Sequence, residues 1–464
     1  MKRLILALSA LSLVAAPLHA QPLQPDEAAA IDAVVTRVMK ETGVPSVEIA
    51  VVRDGEVVLD RAWGKPSETI ATADPTLPYQ IASNSKQFLA ALLLMLEDEG
   101  KLSLDDPVAK WVPGVTDSDK MTVRQLLSHT SGLQDFWPQD YAFKAMETPV
   151  DPVGIVSRWG TKPLDYAPGT RWQYSNTGYV VAGMIAEKAG GAPLWQQLEE
   201  RIFKPLGIHP YKLDDTNGPG FPQGYHRYAL GPARVATPPA PGWLWAAGEI
   251  SMSAAELAEW DIARINRTLL PASDWDEMER PVRLSDGTTN GYGLGVYSRT
   301  LGGRKVIDHG GESVGFLSQN TIWPDDKVAI VVLTNADFSG ATSTLTGEIA
   351  SIVLPKGPAA NDNEAPRTED AYKTVSGLLK GVADPALFTE NGRYYFTPQV
   401  LKDYRTSLAP LGPLKKVDLV RTPRLRGGFV NRVFLLTFAK GKMTLSTYAE
   451  PGEHGRWEQF MISQ

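Results

Sequence analysis

The sequence has no cysteine in its 464 residues. That excludes disulfides, a thiol nucleophile and any cysteinyl metal site, and it leaves stability to core burial. Histidine is scarce: His19, His129, His209, His226, His309 and His454 stand singly. With no H-x-H or H-x-x-x-H pair, no metal site is expected, and nothing calls for a cofactor. The formal net charge is −7 and no basic block stands out, so nucleic acid is not an expected partner. No apolar run is long enough to span a bilayer. The N-terminal run Leu4 to Ala16 follows Lys2 and Arg3, is broken by Pro17 and leads to the small residue Ala20, the make-up of a secretory signal peptide. Residues 1–20 are therefore set apart from the fold. The protein is expected in the periplasm or secreted, with no membrane insertion after that peptide is cleaved.

What is present reads as two domains. Ile31, Val34, Val35, Val38 and Met39 share one face of a helix over 26–42. VEIAVVRDGEVVLDRAWG follows as two strands around Asp54-Gly55, a strong hairpin signal. Phe88 to Leu96 is apolar on every side, as a helix buried in a large domain is, and Gly100 ends it. Residues 101–290 read as helices and loops rich in Pro, Gly and Trp. Strands return at YGLGVYS, RKVIDH, GFLSQNTIW and KVAIVVLT, with a Pro-Asp-Asp turn at 324–326, before a helix at TSTLTGEIASIVL. Strands at both ends with helices between argue for an antiparallel sheet carrying an inserted helical region, not a βαβ repeat. This domain covers 21–355. A polar linker is expected at 356–368. Residues 369–464 form a small α+β domain, with helical stretches at about 369–382 and 397–408 and alternating runs KKVDLVRT, NRVFLLTF, KMTLSTYAE and RWEQFMI. There are no internal repeats.

Three motifs carry chemistry. In YQIASNSKQF, Ser83 and Lys86 are three apart and share a helix face, whereas Lys86 points away from Ser85. A serine hydroxyl needs a base to take its proton, and lysine is one once burial or nearby positive charge lowers its pKa. Ser83 sits where an extended segment turns into the helix, so its N–H is a first-turn donor suited to an oxyanion. In QYSNTGY, read as a loop, Tyr174 offers a phenol that relays protons and Asn176 an amide for a substrate carbonyl. In VIDHGGESVGF, a strand carries His309 and ends in Gly310 and Gly311, glycines that let a substrate backbone approach. The N–H of Glu312 is a candidate second oxyanion donor. Each motif alone is weak, and S-x-x-K most often marks nothing beyond a helix start.

In order and spacing the three resemble the motifs S-x-x-K, Y-x-N and K/H-T/G-G of the serine β-lactamase and penicillin-binding superfamily. The branch they resemble holds class C β-lactamases, D-Ala-D-Ala carboxypeptidases and family VIII esterases. LLSHTSGL (126–133), AAGEISMSAAELAEW (246–260) and YGLGV (292–296) match as well, and the likeness spans roughly residues 25–355. The resemblance implies an α/β (α+β) fold: an antiparallel sheet of five or more strands flanked by helices, an all-helical subdomain, and the site between them. It implies Ser83 as the acylated nucleophile, Lys86 as its activator and Tyr174 as the proton relay that also prepares the deacylating water. Asn176 would orient the substrate and His309 would line the pocket. Gly310, Gly311 and Glu312 would complete the substrate-binding strand.

The third motif departs from the family in having His309 for Lys and Gly310 for Thr. A histidine near its ordinary pKa of ~6.5 is mostly neutral at pH 7, so a fixed charge for a β-lactam or D-Ala carboxylate is missing. That favours hydrolysis of a small ester, amide or D-amino-acid peptide through an acyl-enzyme. β-Lactamase or D-Ala-D-Ala carboxypeptidase activity is the alternative, and a penicillin-recognising sensor that never turns over is the third reading. Glu312 is a candidate for a substrate ammonium, although solvent is the commoner surrounding for such a side chain. GESVG (311–315) fits the nucleophile elbow of α/β-hydrolases, but a strand follows where that elbow needs a helix, so Ser313 is set aside. His129 reads as part of a structural loop behind the site, Asp308 as facing away from the His309 ring, and Trp243 and Trp245 as core. The C-terminal domain faintly resembles NTF2-like domains. The expected partner is a small-molecule or peptide substrate, and the sequence does not indicate an oligomeric state.

Overall fold

Helix α1 (Pro25–Thr42) begins with a proline in its first turn, and the Glu27 carboxylate accepts the Gln24 N–H at 2.9 Å. It ends at Gly43, whose φ of 75° lets the chain turn away. In the computed structural model the described residues are 22–139, 141–301, 304–355, 364–420, 423–426 and 428–463. The expected signal peptide and residues 356–363 of the expected linker lie outside them. Strands β1 (Ser46–Arg53) and β2 (Glu56–Gly64) follow α1 as a hairpin. Asp54 and Gly55 both have positive φ, as a two-residue turn matched to the strand twist requires.

Helices α2 (Lys86–Asp98), α3 (Asn176–Gly190) and α4 (Ala254–Ile265) come next, and then strands β3 (Tyr297–Leu301), β4 (Arg304–Ser313), β5 (Phe316–Trp323) and β6 (Val328–Thr334), followed by α5 (Ala341–Val353). The strands form one six-stranded sheet in the order β2-β1-β6-β5-β4-β3. β1 pairs antiparallel with both β2 and β6, and β5 pairs antiparallel with both β6 and β4. Period-two alternation divides the central strands between two cores. Ile49, Val51, Ile330 and Val332 pack with α1 and α5 on one face. Ala50, Val52, Val331 and Leu333 join the larger core containing α2 and α4 on the other. A sheet covered on both sides explains why β1 and β6 are apolar without alternation.

Two local expectations change. YGLGVYS is a strand only from Tyr297. Gly295 has φ 74°, and a Cβ on Gly293 would lie 2.1 Å from the Met278 carbonyl, so this stretch is a close-packed turn. The helical middle also holds a small sheet of Tyr79–Gln80, Ile250–Met252 and Tyr211–Lys212. Pairings of two or three residues leave no periodic signal to read. This sheet has a functional consequence: it ties the segment before Ser83 to the segment after Ala247, with Tyr79 opposite Met252 and Gln80 opposite Ser251.

The chain divides into two units, one built from residues 1–300 and 304–354 and the other chiefly from 355–464. The second contains helices Ala365–Leu378, Glu390–Tyr395 and Pro398–Leu408 and a five-stranded antiparallel sheet. Its core includes Val375, Leu378, Phe434, Leu436, Leu445 and Trp457. The first of these helices begins inside the stretch expected as linker. Pro366, read there as a linker residue, occupies the first helical turn, where a missing N–H costs nothing.

Candidate active site

Ser83 lies on a short 3-10 turn, Ala82–Ser85, that leads directly into α2. The residue before it, Ala82, has φ 46°, a left-handed backbone that only its surroundings can hold. Lys86 opens α2 and is fully buried. Its Nζ lies 3.0 Å from Ser83 Oγ, 2.8 Å from Asn176 Oδ1 and 2.6 Å from the Ala247 carbonyl oxygen. The last two atoms can only accept. A neutral Lys86 therefore donates two N–H bonds to them and turns its lone pair toward Ser83. Burial brings the Lys86 pKa down to about 7, against the pull of the Asp135 carboxylate.

Tyr174 stands just before Ser175, the cap of α3, and its phenol faces Ser83. The Lys86 Nζ is 4.9 Å from its ring centroid. Burial pushes this phenol well above its ordinary range, so it holds its proton at neutral pH. Asn176 is not in a loop: it is the first residue of α3, capped by the Ser175 hydroxyl, which accepts the Gly178 N–H. Its Oδ1 accepts from Lys86, and its NH2 donates to Asp135 at 3.2 Å and 3.3 Å. Asn176 thus lines the cleft as the side chain that holds Lys86.

His309 on β4 also lines the cleft, but its ring is committed. Nδ1 lies 2.6 Å from the Gly310 carbonyl oxygen, which can only accept, so Nδ1 carries the proton. Nε2 then accepts from the Tyr292 hydroxyl at 2.9 Å. Burial lowers the His309 pKa to about 3, with Lys86 adding to the effect. The ring is neutral, as expected for a histidine here, and its depth makes it far more so. The Asp308 carboxylate faces the other way and pairs with Arg299.

The two glycines differ. A Cβ on Gly311 would fall 2.0 Å from the Ile81 carbonyl oxygen and 2.3 Å from Ser318 Oγ. Gly311 thus lets the Ser83 turn seat against β4, a closer reason for glycine than substrate approach. Gly310 is exposed, and its nearest neighbour would be 3.4 Å away. Val314-Gly315 is a two-residue turn that makes Ser313 and Phe316 a hydrogen-bonded pair, so Glu312 opposite Leu317 is a non-bonded pair. Its N–H consequently faces the open edge of β4, toward the cleft. Its side chain is exposed there.

These groups meet in a cleft of about 690 Å³ that also contains Asp135, Trp137, Leu244 and Tyr297. Among its described lining residues, Asp135 and Glu312 are the carboxylates and there is no lysine or arginine. Asp135 is mostly buried, which raises its pKa. Three N–H donors, Trp137 N, Asn176 N and Asn176 Nδ2, counter this by favouring its carboxylate. Asp135, Tyr292 and the Ala247 carbonyl were missed from the sequence. Tyr292 and Ala247 lay within quoted family stretches, whereas Asp135 sits two residues past SHTSGL with no local signal. Ser313 is buried and its hydroxyl donates to Gln80 Oε1 at 2.8 Å. Trp243 is core, donating to the Thr148 carbonyl, and Leu244 rather than either tryptophan reaches the cleft.

A two-sided antiparallel sheet, a helical region and a Ser-Lys-Tyr cleft at the sheet edge are the layout of a serine hydrolase. The chain belongs to the beta-lactamase family, whose model matches residues 31–353. The D-aminopeptidase of Brucella anthropi is 28% identical over 392 residues, covering 81% of this chain and 72% of that protein. The solved D-stereospecific amidohydrolase from Streptomyces sp. is 31% identical with a TM-score of 0.61, over 72% of this chain and 100% of that one. The octameric penicillin-binding protein homologue from Pyrococcus abyssi, at 20% identity and a TM-score of 0.62, shares the fold over 94% of this chain and 100% of its own.

Proposed function

We propose that this hydrolase cleaves amide and ester bonds of small amino-acid derivatives bearing a free ammonium group, D-amino-acid amides and short peptides among them. The charge of the cleft carries this reading: a carboxylate at Asp135, a neutral His309 and no lysine or arginine among the described lining residues. A substrate carboxylate meets no lining lysine or arginine there, while an ammonium meets Asp135. The names of the relatives, a D-aminopeptidase and a D-stereospecific amidohydrolase, support the same substrate class.

In the proposed reaction neutral Lys86 takes the Ser83 proton as Oγ bonds to the carbonyl carbon. The N–H groups of Ser83 and Glu312 stabilise the oxyanion. The proton passes through Tyr174 to the leaving nitrogen or oxygen, the C–N or C–O bond breaks, and the acyl group stays on Ser83. Water then attacks the ester, giving its proton to the same Lys86–Tyr174 pair, and Ser83 Oγ leaves with a proton. Asn176 holds Lys86, and Asp135 holds both Asn176 and the substrate ammonium. We also propose export, with cleavage after Ala20, which N-terminal sequencing of the extracellular or periplasmic fraction tests.

The deciding assay compares D-alanine p-nitroanilide, its N-acetyl form, a p-nitrophenyl ester and nitrocefin on wild type, Ser83→Ala and Ser313→Ala. The free-amine substrate is expected to turn over fastest, with Ser83→Ala inactive and Ser313→Ala active. Faster nitrocefin turnover, or preference for the N-acetyl form, refutes the substrate class. Activity retained by Ser83→Ala refutes the nucleophile. A penicillin adduct that persists for hours with no turnover of any substrate points instead to a sensor.

A further inference from the structure

The SHTSGL stretch is not used by the reaction proposed above, yet His129 within it touches the catalytic segment at three places. Its Nδ1 accepts the Ser175 N–H at 3.1 Å. Its carbonyl oxygen accepts the Gln173 N–H at 3.0 Å. Its ring lies against the Tyr174 ring, with centroids 4.1 Å apart and planes 34° from parallel. The residues on either side of Tyr174, and Tyr174 itself, are thus all held by one side chain and its own backbone.

That arrangement is maintained against a local penalty. His129 has φ 59°, a left-handed conformation uncommon for a residue other than glycine. Because Nδ1 accepts from Ser175, the ring proton sits on Nε2, which is buried with the rest of the ring. Its surroundings are the rings of Trp172, Tyr179 and Tyr292. A backbone outlier next to a candidate catalytic group is where strain retained for function is found.

We infer that His129 is a positioning residue: it fixes the Tyr174 phenol beside Ser83 and relays no proton itself. The inference rests on the proposed relay role of Tyr174. The left-handed turn lets the ring and the carbonyl of His129 address residues 175 and 173 at once, which an ordinary backbone would not allow. With Ser175 anchored by its N–H, its hydroxyl is left to cap α3 at Gly178, so the same contact also sets the start of the helix that bears Asn176.

The test uses the full chain and four variants: Tyr174→Phe, His129→Ala, His129→Asn and His129→Phe. Asparagine tolerates the left-handed backbone and places Oδ1 where Nδ1 accepts, but lacks the ring. Phenylalanine keeps the ring and lacks the acceptor. Readouts are kcat and KM on the p-nitrophenyl ester, thermal unfolding, and the rate at which a fluorophosphonate labels Ser83. A misplaced relay predicts a fall in kcat of ~10²-fold in His129→Ala with KM within about threefold. Ser83 labelling should persist, and His129→Asn should recover about tenfold of the loss. Should His129→Ala misfold, the Asn and Phe variants carry the comparison. The inference is overturned if His129 variants keep wild-type kcat while Tyr174→Phe is inactive. It is equally overturned if kcat, labelling and thermal stability fall together without recovery in His129→Asn, which is a purely structural role. Full activity in Tyr174→Phe removes the relay reading itself, and this inference with it.

Discussion

Lysine 86 sets the pH at which this protein should work. An ordinary lysine has a pKa of 10.5, and burial brings this one to about 7. The difference corresponds to roughly 5 kcal/mol of preference for the neutral amine over the ammonium. At pH 7 about half of Lys86 is then an available base, against less than about one part in a thousand for an ordinary lysine. Turnover should rise about tenfold per pH unit up to pH ~7 and flatten above it. The Asp135 carboxylate works against the burial by favouring the ammonium. In Asp135→Asn that pull is gone, the Lys86 pKa falls further, and the limb moves to lower pH. The assay is kcat/KM for a neutral p-nitrophenyl ester between pH 5 and 9, so that substrate charge does not enter. Other buried groups titrate nearby: Asp261 and Glu249 are each pushed up to about 7 by burial. Asp261→Asn and Glu249→Gln should therefore leave the limb in place. A limb still rising at pH 9 refutes the reasoning because Lys86 then keeps an ordinary lysine pKa, and one that moves upward in Asp135→Asn refutes it because loss of a carboxylate lowers a nearby lysine's pKa.

Three further outcomes follow from the same geometry. Asp135→Asn should cost the free-amine substrate a charge-assisted contact of about 1.5–3 kcal/mol, roughly 10–150-fold in kcat/KM, and cost the N-acetyl form much less; equal losses on the two count against an ammonium site. Asp261 is fully buried, accepts from Asn320 Nδ2 at 2.8 Å, and has its pKa raised from 3.8 to about 7. Its protonated form is the one that fits the fold, so stability is fully present below pH 3.8 and lost as pH rises through 7. Asp261→Asn should thus raise the melting temperature at pH 8 and change it little at pH 4; a fall at pH 8 shows that the buried charge is paired with Arg264. Gly311→Ala places a Cβ 2.0 Å from a backbone oxygen, whereas Gly310→Ala meets its first neighbour at 3.4 Å. The first should destabilise by about 1–3 kcal/mol and reduce turnover, and the second should do neither strongly; equal melting temperatures for the two contradict the packing described for the Ser83 turn.

Much of this was legible along the chain because the signals are local. Asp54-Gly55 forms its hairpin through backbone preferences of two adjacent residues, and α1 follows a 3.6-residue pattern inside its own span. Ser83 and Lys86 are within one turn of each other, so spacing alone chose Ser83 over Ser85. The failures have physical causes as well. Pro366 looked like a linker residue because proline reads the same in a loop and in the first turn of a helix. YGLGVYS reads as a strand because its aromatic and branched residues suit one, yet the glycines at 293 and 295 serve a tight turn against Met278 and α2. Asn176 reads as a substrate-binding amide because nothing local shows that Lys86, ninety positions earlier, claims its carbonyl oxygen.

By itself, then, the sequence determined the candidate reactive groups: a serine, a lysine one helical turn on, a tyrosine and a glycine-bearing strand, together with a domain large enough to bury them. Tertiary structure alone decided their chemical state. Depth makes Lys86 a base near neutrality, keeps Tyr174 protonated and leaves His309 neutral with both ring nitrogens engaged. Folding also brings Asp135 into a cleft that has no lysine or arginine among its described lining residues. Those outcomes depend on desolvation and on charges far apart in the chain, and no spacing of letters encodes how deeply a group will lie.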